Sequence, residues 1–187
     1  YLEVFEPIAR GYEWVTPDPV ELGFRNFFRN LRYPIRLSGN LLQGRLQGAW
    51  VETGRFAINS TAGIAGIFTP ADNVKGFAPI PPEGIGQALG AWGIGEGPFL
   101  VIPVLGPANL RDAFAALGDL AVHPIREPFS LIDHWSWEWK TLLRSSEIVV
   151  GLPALLGGYK EMKGMAIDPY SSLKNGYSQL RRAAIAD

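Results

Sequence analysis

A mainly α-helical fold with no more β-structure than one small hairpin is what these 187 residues predict. Three observations carry that prediction. Two Asp-Pro pairs, Asp18-Pro19 and Asp168-Pro169, have the form of helix starts, because Asp caps free backbone N–H groups and Pro loses nothing at the first helical position. Apolar residues recur at helical spacing along Val20 to Leu31, Leu110 to Ala121 and Tyr170 to Ala184. Only Phe99-Leu100-Val101-Ile102, bounded by Pro98 and Pro103, is β-branched and aromatic enough for a strand.

The first helix read in this way places Val20, Phe24, Phe27, Phe28 and Leu31 on one stripe and Glu21, Arg25, Arg29 and Arg32 opposite. Tyr33-Pro34 ends it, since the residue before proline is pushed out of the α region. Pro34 opens a short helix through Leu42, with Gly44 as its C-terminal cap. A third helix from Arg45 to Ser60 is expected to bury Leu46, Trp50, Thr53, Phe56 and Ala57. Seven glycines and prolines between Gly63 and Pro82 then predict a loop-rich excursion. Glu83 to Pro107 holds too many glycines for a long helix, and the Phe99 strand there fits a small hairpin. The helix from Leu110 stops near Pro124.

Leu131 to Leu143 contains Trp135, Trp137 and Trp139. Their alternation suits a strand, and Trp135, Trp139, Leu142 and Leu143 suit a helical face; helix is favoured because Glu138, Lys140, Thr141 and Arg144 take the other side. Trp137 then lies near a boundary, where an indole prefers one apolar and one wet end. Glu147 to Gly158, with Pro153, is a kinked helix or two short pieces, and a last helix follows Pro169. One domain is the expectation for the length.

Composition narrows the function. A net charge of −1 from 17 basic and 18 acidic residues gives no field for nucleic acid. Cysteine is absent, so no disulfide or thiolate metal site is available. With 47% hydrophobic and 19% charged residues, the chain has more apolar surface than a typical soluble domain, which suggests a membrane, a lipid or a large partner. No uncharged stretch reaches the roughly 18 to 20 apolar residues of a spanning helix. Tyr1 to Trp14 contains Glu3, Glu6, Pro7 and Arg10 and is not a secretory signal, so the chain is either cytoplasmic or a mature or trimmed form.

Catalytic signals are missing. His123 and His134 are the two imidazoles, and Asp133 beside His134 is a sequence neighbour rather than a dyad partner. No nucleophile elbow, zinc helix or phosphate loop occurs, and the glycines at 84–86 and 93–97 fit turns and close backbone approach. Gly44-x-x-x-Gly48 and Gly86-x-x-x-Gly90 permit tight helix contact. Neither a metal nor a cofactor is expected.

A series of blocks in fixed order goes further: Asn26-Phe27-Phe28-Arg29-Asn30-Leu31-Arg32-Tyr33-Pro34, Asn40-Leu41-Leu42-Gln43-Gly44, Gly54 to Gly63, Gly86-Gln87-Ala88-Leu89-Gly90 and Leu105 to Asp112. Over nearly the whole chain, from Pro7 to Arg182, it resembles the MlaA/VacJ outer-membrane lipoproteins of Gram-negative bacteria. The resemblance implies a ring-like bundle of amphipathic helices lying in the outer membrane, with an amphipathic channel. Through that channel mislocalised phospholipid leaves the outer leaflet for a soluble periplasmic carrier, beside a trimeric porin, and no bond is made or broken. Family members begin with a lipoprotein signal, a lipidated cysteine and a first helix containing Asn-Arg. Residues 1–187 are therefore expected to be one such domain without those features, through truncation or loss of the anchor. Arg111, Asp112 and Lys174 are the expected polar channel positions near headgroups, although Lys174-Asn175 replaces the family's usual Arg and acidic residue. Trp135, Trp137 and Trp139 are the expected membrane-interface aromatics. Residues 118–128 and 151–158 are expected hinges, an idea that hydrogen exchange as slow there as in flanking helices removes. Two other classes compete: a structural subunit of a larger membrane complex on the same scaffold, and a small esterase using His134, which activity retained after His134→Ala excludes.

Overall fold

The computed structural model describes residues 2–102, 106–128, 130–165 and 168–186. Among them are eight α-helices: α1 (Leu2–Val15), α2 (Asp18–Leu31), α3 (Tyr33–Leu42), α4 (Leu46–Thr61), α5 (Ile85–Ala91), α6 (Leu110–Ala121), α7 (Trp137–Met165) and α8 (Pro169–Ala186). A two-stranded antiparallel hairpin, β1 (Phe99–Ile102) and β2 (Gly106–Asn109), pairs Phe99 with Asn109 and Ile102 with Gly106. Helix contacts close on themselves: α2 packs on α3, α3 on α5, α5 on α8, α8 on α7, and α7 returns to α2. This closed circuit is the ring-like, mainly α arrangement.

Local chemistry explains most boundaries. Pro17 and Pro19 sit at the start of α2, with Asp18 and Glu21 in its first turn where acidic groups favour the helix dipole. Gly44, at φ +70°, follows the end of α3 as its left-handed cap. Asn109 caps α6, its Oδ1 accepting the Asp112 N–H at 2.7 Å. The loop-rich stretch after α4 carries one 3-10 turn, Pro70–Asn73. One reading needs correction. The tryptophan segment does not begin as helix: residues 131–134 form turns, Trp135 N donates to Ile132 O at 2.9 Å, and α7 starts only at Trp137, after Ser136. Of the two readings for residues 147–158, a kinked helix or two pieces, the structure has a single helix with Pro153 inside it.

The larger correction concerns which faces turn inward. On α4, Leu46, Trp50 and Ala57 are exposed, Thr53 and Phe56 are half-buried, and the buried positions are Ala49, Val51, Glu52, Arg55 and Asn59. Trp50 is 67% exposed and Glu52 3%. The same inversion occurs on α6, where Phe114 is 64% exposed and Arg111 7%. Along α2, Phe24 is exposed, Phe27 half-buried and Phe28 buried, beside buried Asn26 and Asn30. Many of the inward polar groups are paired: Arg36 Nε donates to Glu52 at 2.8 Å, Asn59 Oδ1 accepts the Ala71 N–H at 3.1 Å, and Tyr33 OH meets Thr53 Oγ1 at 2.9 Å. Helical periodicity says that two faces differ, and it does not say which one faces the protein.

An apolar cluster of the usual kind lies where α1 crosses α7, built from Ala9, Leu152 and Leu156 with Phe5 against them. Elsewhere close backbone approach does the packing. A Cβ on Gly39 of α3 would lie 2.7 Å from the Glu83 carbonyl carbon and 2.7 Å from the Gly84 nitrogen. Backbone gives way less readily than a side-chain end, so Gly39→Ala is expected to destabilise by about 1–3 kcal/mol, despite the better helix propensity of Ala. Thermal unfolding in detergent checks this, and an unchanged or raised midpoint would refute the packing argument.

Candidate functional site

Inside the ring is an open cavity of about 900 Å³. Its wall is drawn from α2, α3, α4, residues 79–84, α5, α6, residues 123–126 and α7. Six arginines line it, Arg25, Arg29, Arg32, Arg36, Arg55 and Arg126, against four carboxylates, Glu52, Glu83, Asp119 and Glu147. Asn26, Asn30, Asn59, Gln87 and His123 add neutral polar surface, while Leu22, Phe28, Ile35, Ile80, Leu120 and Val150 add apolar surface. The wall is thus amphipathic, with cations in excess.

Glu147 of α7 is the most heavily coordinated carboxylate. Its Oε1 accepts from Arg32 Nε at 2.9 Å and lies 3.1 Å from His123 Nε2; its Oε2 accepts from Arg126 Nη2 at 2.9 Å. One side chain thereby joins α2, the segment after α6 and α7. Burial alone would raise the Glu147 pKa, but the hydrogen bond with His123 and the charges of Arg32 and Arg126 outweigh it and bring it down to about 2. Glu83, also buried, accepts from Arg45 Nη1 and Gln43 Nε2, each at 2.8 Å. Arg55 donates to Asp72 and to the Phe77 carbonyl, each at 2.6 Å. Burial pushes the Asp119 carboxyl up, opposed by the Ile85 N–H that it accepts at 3.1 Å.

Arg111, Asp112 and Lys174, the expected channel residues, are not among the residues that line this cavity. Arg111 and Asp112 belong to a compact ion network beside the cavity wall. Asp112 Oδ1 accepts from Arg111 Nε at 3.0 Å, and its Oδ2 accepts from Tyr177 OH at 2.7 Å and Arg181 Nε at 2.6 Å. Burial works against ionised Asp112, but the hydrogen bonds from Arg181, Arg111 and Tyr177 hold its pKa below the ordinary range. Burial, then Asp112, pushes the Tyr177 phenol strongly up. The Gly86-x-x-x-Gly90 spacing has a use here. A Cβ on Gly86 would meet Arg181 Nη2 and Asp112 Oδ1 at 2.7 Å, and one on Gly90 would meet Arg111 Nη1 at 2.8 Å. Lys174 is exposed on α8, away from the cavity lining. Trp135, Trp137 and Trp139 are all exposed, as is His134, whose ring meets Trp135 edge-on. Buried His123 serves Glu147.

Sequence reading did not single out Arg36, Glu52, Arg55, Glu83 or Glu147. The legible signal was the polar stripe of α2, which placed Arg25, Arg29 and Arg32 together. Among the described residues there is no cluster of side chains suited to a metal ion, and no helix long and apolar enough to cross a membrane.

Comparison with known proteins fits this geometry. The profile of the MlaA lipoprotein family matches residues 1–184. The intermembrane phospholipid transport system lipoprotein MlaA of Haemophilus influenzae is 28% identical over 94% of this chain and 68% of its own length. The Shigella flexneri protein of the same name is 31% identical over 65% of this chain and 49% of its own length. A solved structure described as the structural basis for maintenance of bacterial outer membrane lipid asymmetry shares the fold, with a TM-score of 0.76 and 22% identity over 97% of this chain and 88% of that one. With its family profile covering all but three of its residues, the chain belongs to the MlaA lipoprotein family.

Proposed function

We propose that this protein carries phospholipid through its polar-lined ring at the outer membrane, removing mislocalised lipid from the outer leaflet toward a periplasmic carrier and so maintaining lipid asymmetry. The inversion of the helices carries the reading. Charged and amide side chains line the cavity, while Leu46, Trp50, Phe114 and Leu117 face outward. Such an outer surface is costly in water and favourable against acyl chains. A headgroup stays solvated by the wall as it passes, while its tails remain on apolar surface. In this reading the cavity binds and orients lipid and no bond is made or broken, and its histidine is held by Glu147.

In this reading Trp135, Trp137 and Trp139 sit at the membrane interface, and Lys174 is a polar position that headgroups reach from the surface of α8. Arg111 and Asp112 hold α8 against α5 and α6 at the edge of the wall. A trimeric porin beside the ring is the proposed neighbour in the membrane. Native mass spectrometry of the full-length protein, gently extracted from its membrane, tests the proposal. Bound phospholipid with co-purifying porin is expected. A stoichiometric partner of another kind without lipid would replace this reading by that of a structural subunit.

A further inference from the structure

Arg29 stands apart from the other cations of the cavity wall. Arg36 and Arg55 each hold a carboxylate, Glu52 at 2.8 Å and Asp72 at 2.6 Å; Arg32 and Arg126 share Glu147; Arg25 lies 3.7 Å from Glu21. Arg29 is exposed to the same cavity with no ion pair among the described residues. Its side chain makes one hydrogen bond, from Nη2 to Asn26 Oδ1 at 2.9 Å. A guanidinium offers several further N–H donors in a rigid fork, and here they have no further acceptor among the described residues. Arg36 is fixed close by, its Nη1 donating to the Arg29 carbonyl at 2.6 Å.

We propose that Arg29, flanked by Arg25 and Arg36, is a phosphate-binding station on the cavity wall that takes the phosphodiester of a passing phospholipid. This rests on the transport reading and adds to it a residue and a chemical class. The fork of Arg29 suits two oxygens of a phosphodiester, and a charge-assisted pair of that kind is among the stronger polar contacts. Leu22 and Ile35 line the same cavity, so an anion with attached acyl chains meets both surfaces it needs. Burial, then the charges of Arg55, Arg36 and Arg25, lowers the Arg29 pKa, with Asp72 opposing. An arriving anion relieves that crowding, whereas a neutral lipid does not. Beyond the Asn26 bond Arg29 has only the more distant attraction of Asp72, which Arg55 holds directly, so the ring is expected to survive its removal.

The test compares the full-length protein with Arg29→Gln, and with Arg10→Gln as a control of equal charge change on α1. Binding of dihexanoyl phosphatidylglycerol, of dihexanoylglycerol, which lacks the phosphate, and of inorganic phosphate is measured by native mass spectrometry and titration calorimetry. Weakening of the phospholipid by about ten-fold or more in Arg29→Gln, with dihexanoylglycerol unchanged and Arg10→Gln equal to the parent, is expected. Equal phospholipid binding by the parent and Arg29→Gln would overturn the station and leave the transport reading standing. A parent that binds no phospholipid would overturn both. Inorganic phosphate that binds as tightly as the phospholipid, and is lost with Arg29, would overturn the lipid headgroup as the source of the anion.

Discussion

Replacing Glu147 by Ala is expected to destabilise the protein by about 3–5 kcal/mol, the largest effect of any single change considered for the cavity wall. The carboxylate is 3% exposed and accepts from Arg32 and Arg126 while meeting His123. Its removal leaves cationic groups in the wall without a counter-charge, and it also severs the tie between α2, the segment after α6 and α7. Glu127, which is exposed and paired with Arg144 at 3.0 Å, is the comparison: Glu127→Ala is expected to cost no more than about 1 kcal/mol. Chemical unfolding in detergent distinguishes the two, and equal losses would sink the argument.

Glu147 also sets a pH dependence. Its pKa is lowered on folding from the ordinary 4.5 to about 2. A carboxylate of this kind contributes fully above its unfolded value and loses that contribution as pH falls through the folded one. Stability is therefore expected to decline between about pH 4.5 and pH 2, by roughly 3 kcal/mol from this group. Glu147→Gln is expected to flatten that part of the profile. A variant with the same acid dependence as the parent would assign the loss to other carboxylates.

Asp112→Ala is the second large change, with an expected cost of about 3–5 kcal/mol. Asp112 is the counter-ion of Arg111 and Arg181 and the acceptor for Tyr177, so it ties α8 to α6. Arg111 is already short of partners, since its Nη2 is buried without one, so the loss of Asp112 falls on a group with little reserve. The change should act locally as well as globally: hydrogen exchange within α8 is expected to accelerate more than in α4, because α8 is held to α5 and α6 through this network. Adding Arg181→Leu to Asp112→Ala is expected to recover part of the loss, as one unpaired buried charge disappears. Uniform acceleration across both helices, or no recovery in the double variant, would show that the network is not what docks α8.

Helix positions were legible because their causes are local. Asp18 with Pro19, Pro34 and Asp168 with Pro169 act on backbone groups within one turn, and the helices begin within a residue or two of where those side chains place them. The same holds for the strand at Phe99–Ile102, which flanking prolines and β-branched residues mark without reference to the rest of the chain. Helix α5 was not legible, because its glycines argue against a helix and its start is held partly by Asp119, 34 residues away, which accepts the Ile85 N–H beside the local Gln87 cap. The wall of the cavity was hidden for a related reason. Glu147 is 115 residues from Arg32 in the chain, and nothing near either residue signals the other.

The sequence by itself determined that the chain is built mainly of helices, that its surplus of apolar residues suggests a membrane, a lipid or a large partner, and that its ordered blocks resemble one family. Only the tertiary structure decided the sense of each helix. The contrast between Leu46 and Trp50 on one face of α4 and Glu52 and Arg55 on the other is present in the sequence, but a ring around an amphipathic, charge-bearing cavity turns that contrast outward, whereas an apolar core would turn it inward. Periodicity fixes the separation of two faces; the medium on either side of the wall fixes their orientation, and that medium is not written in any local stretch of residues.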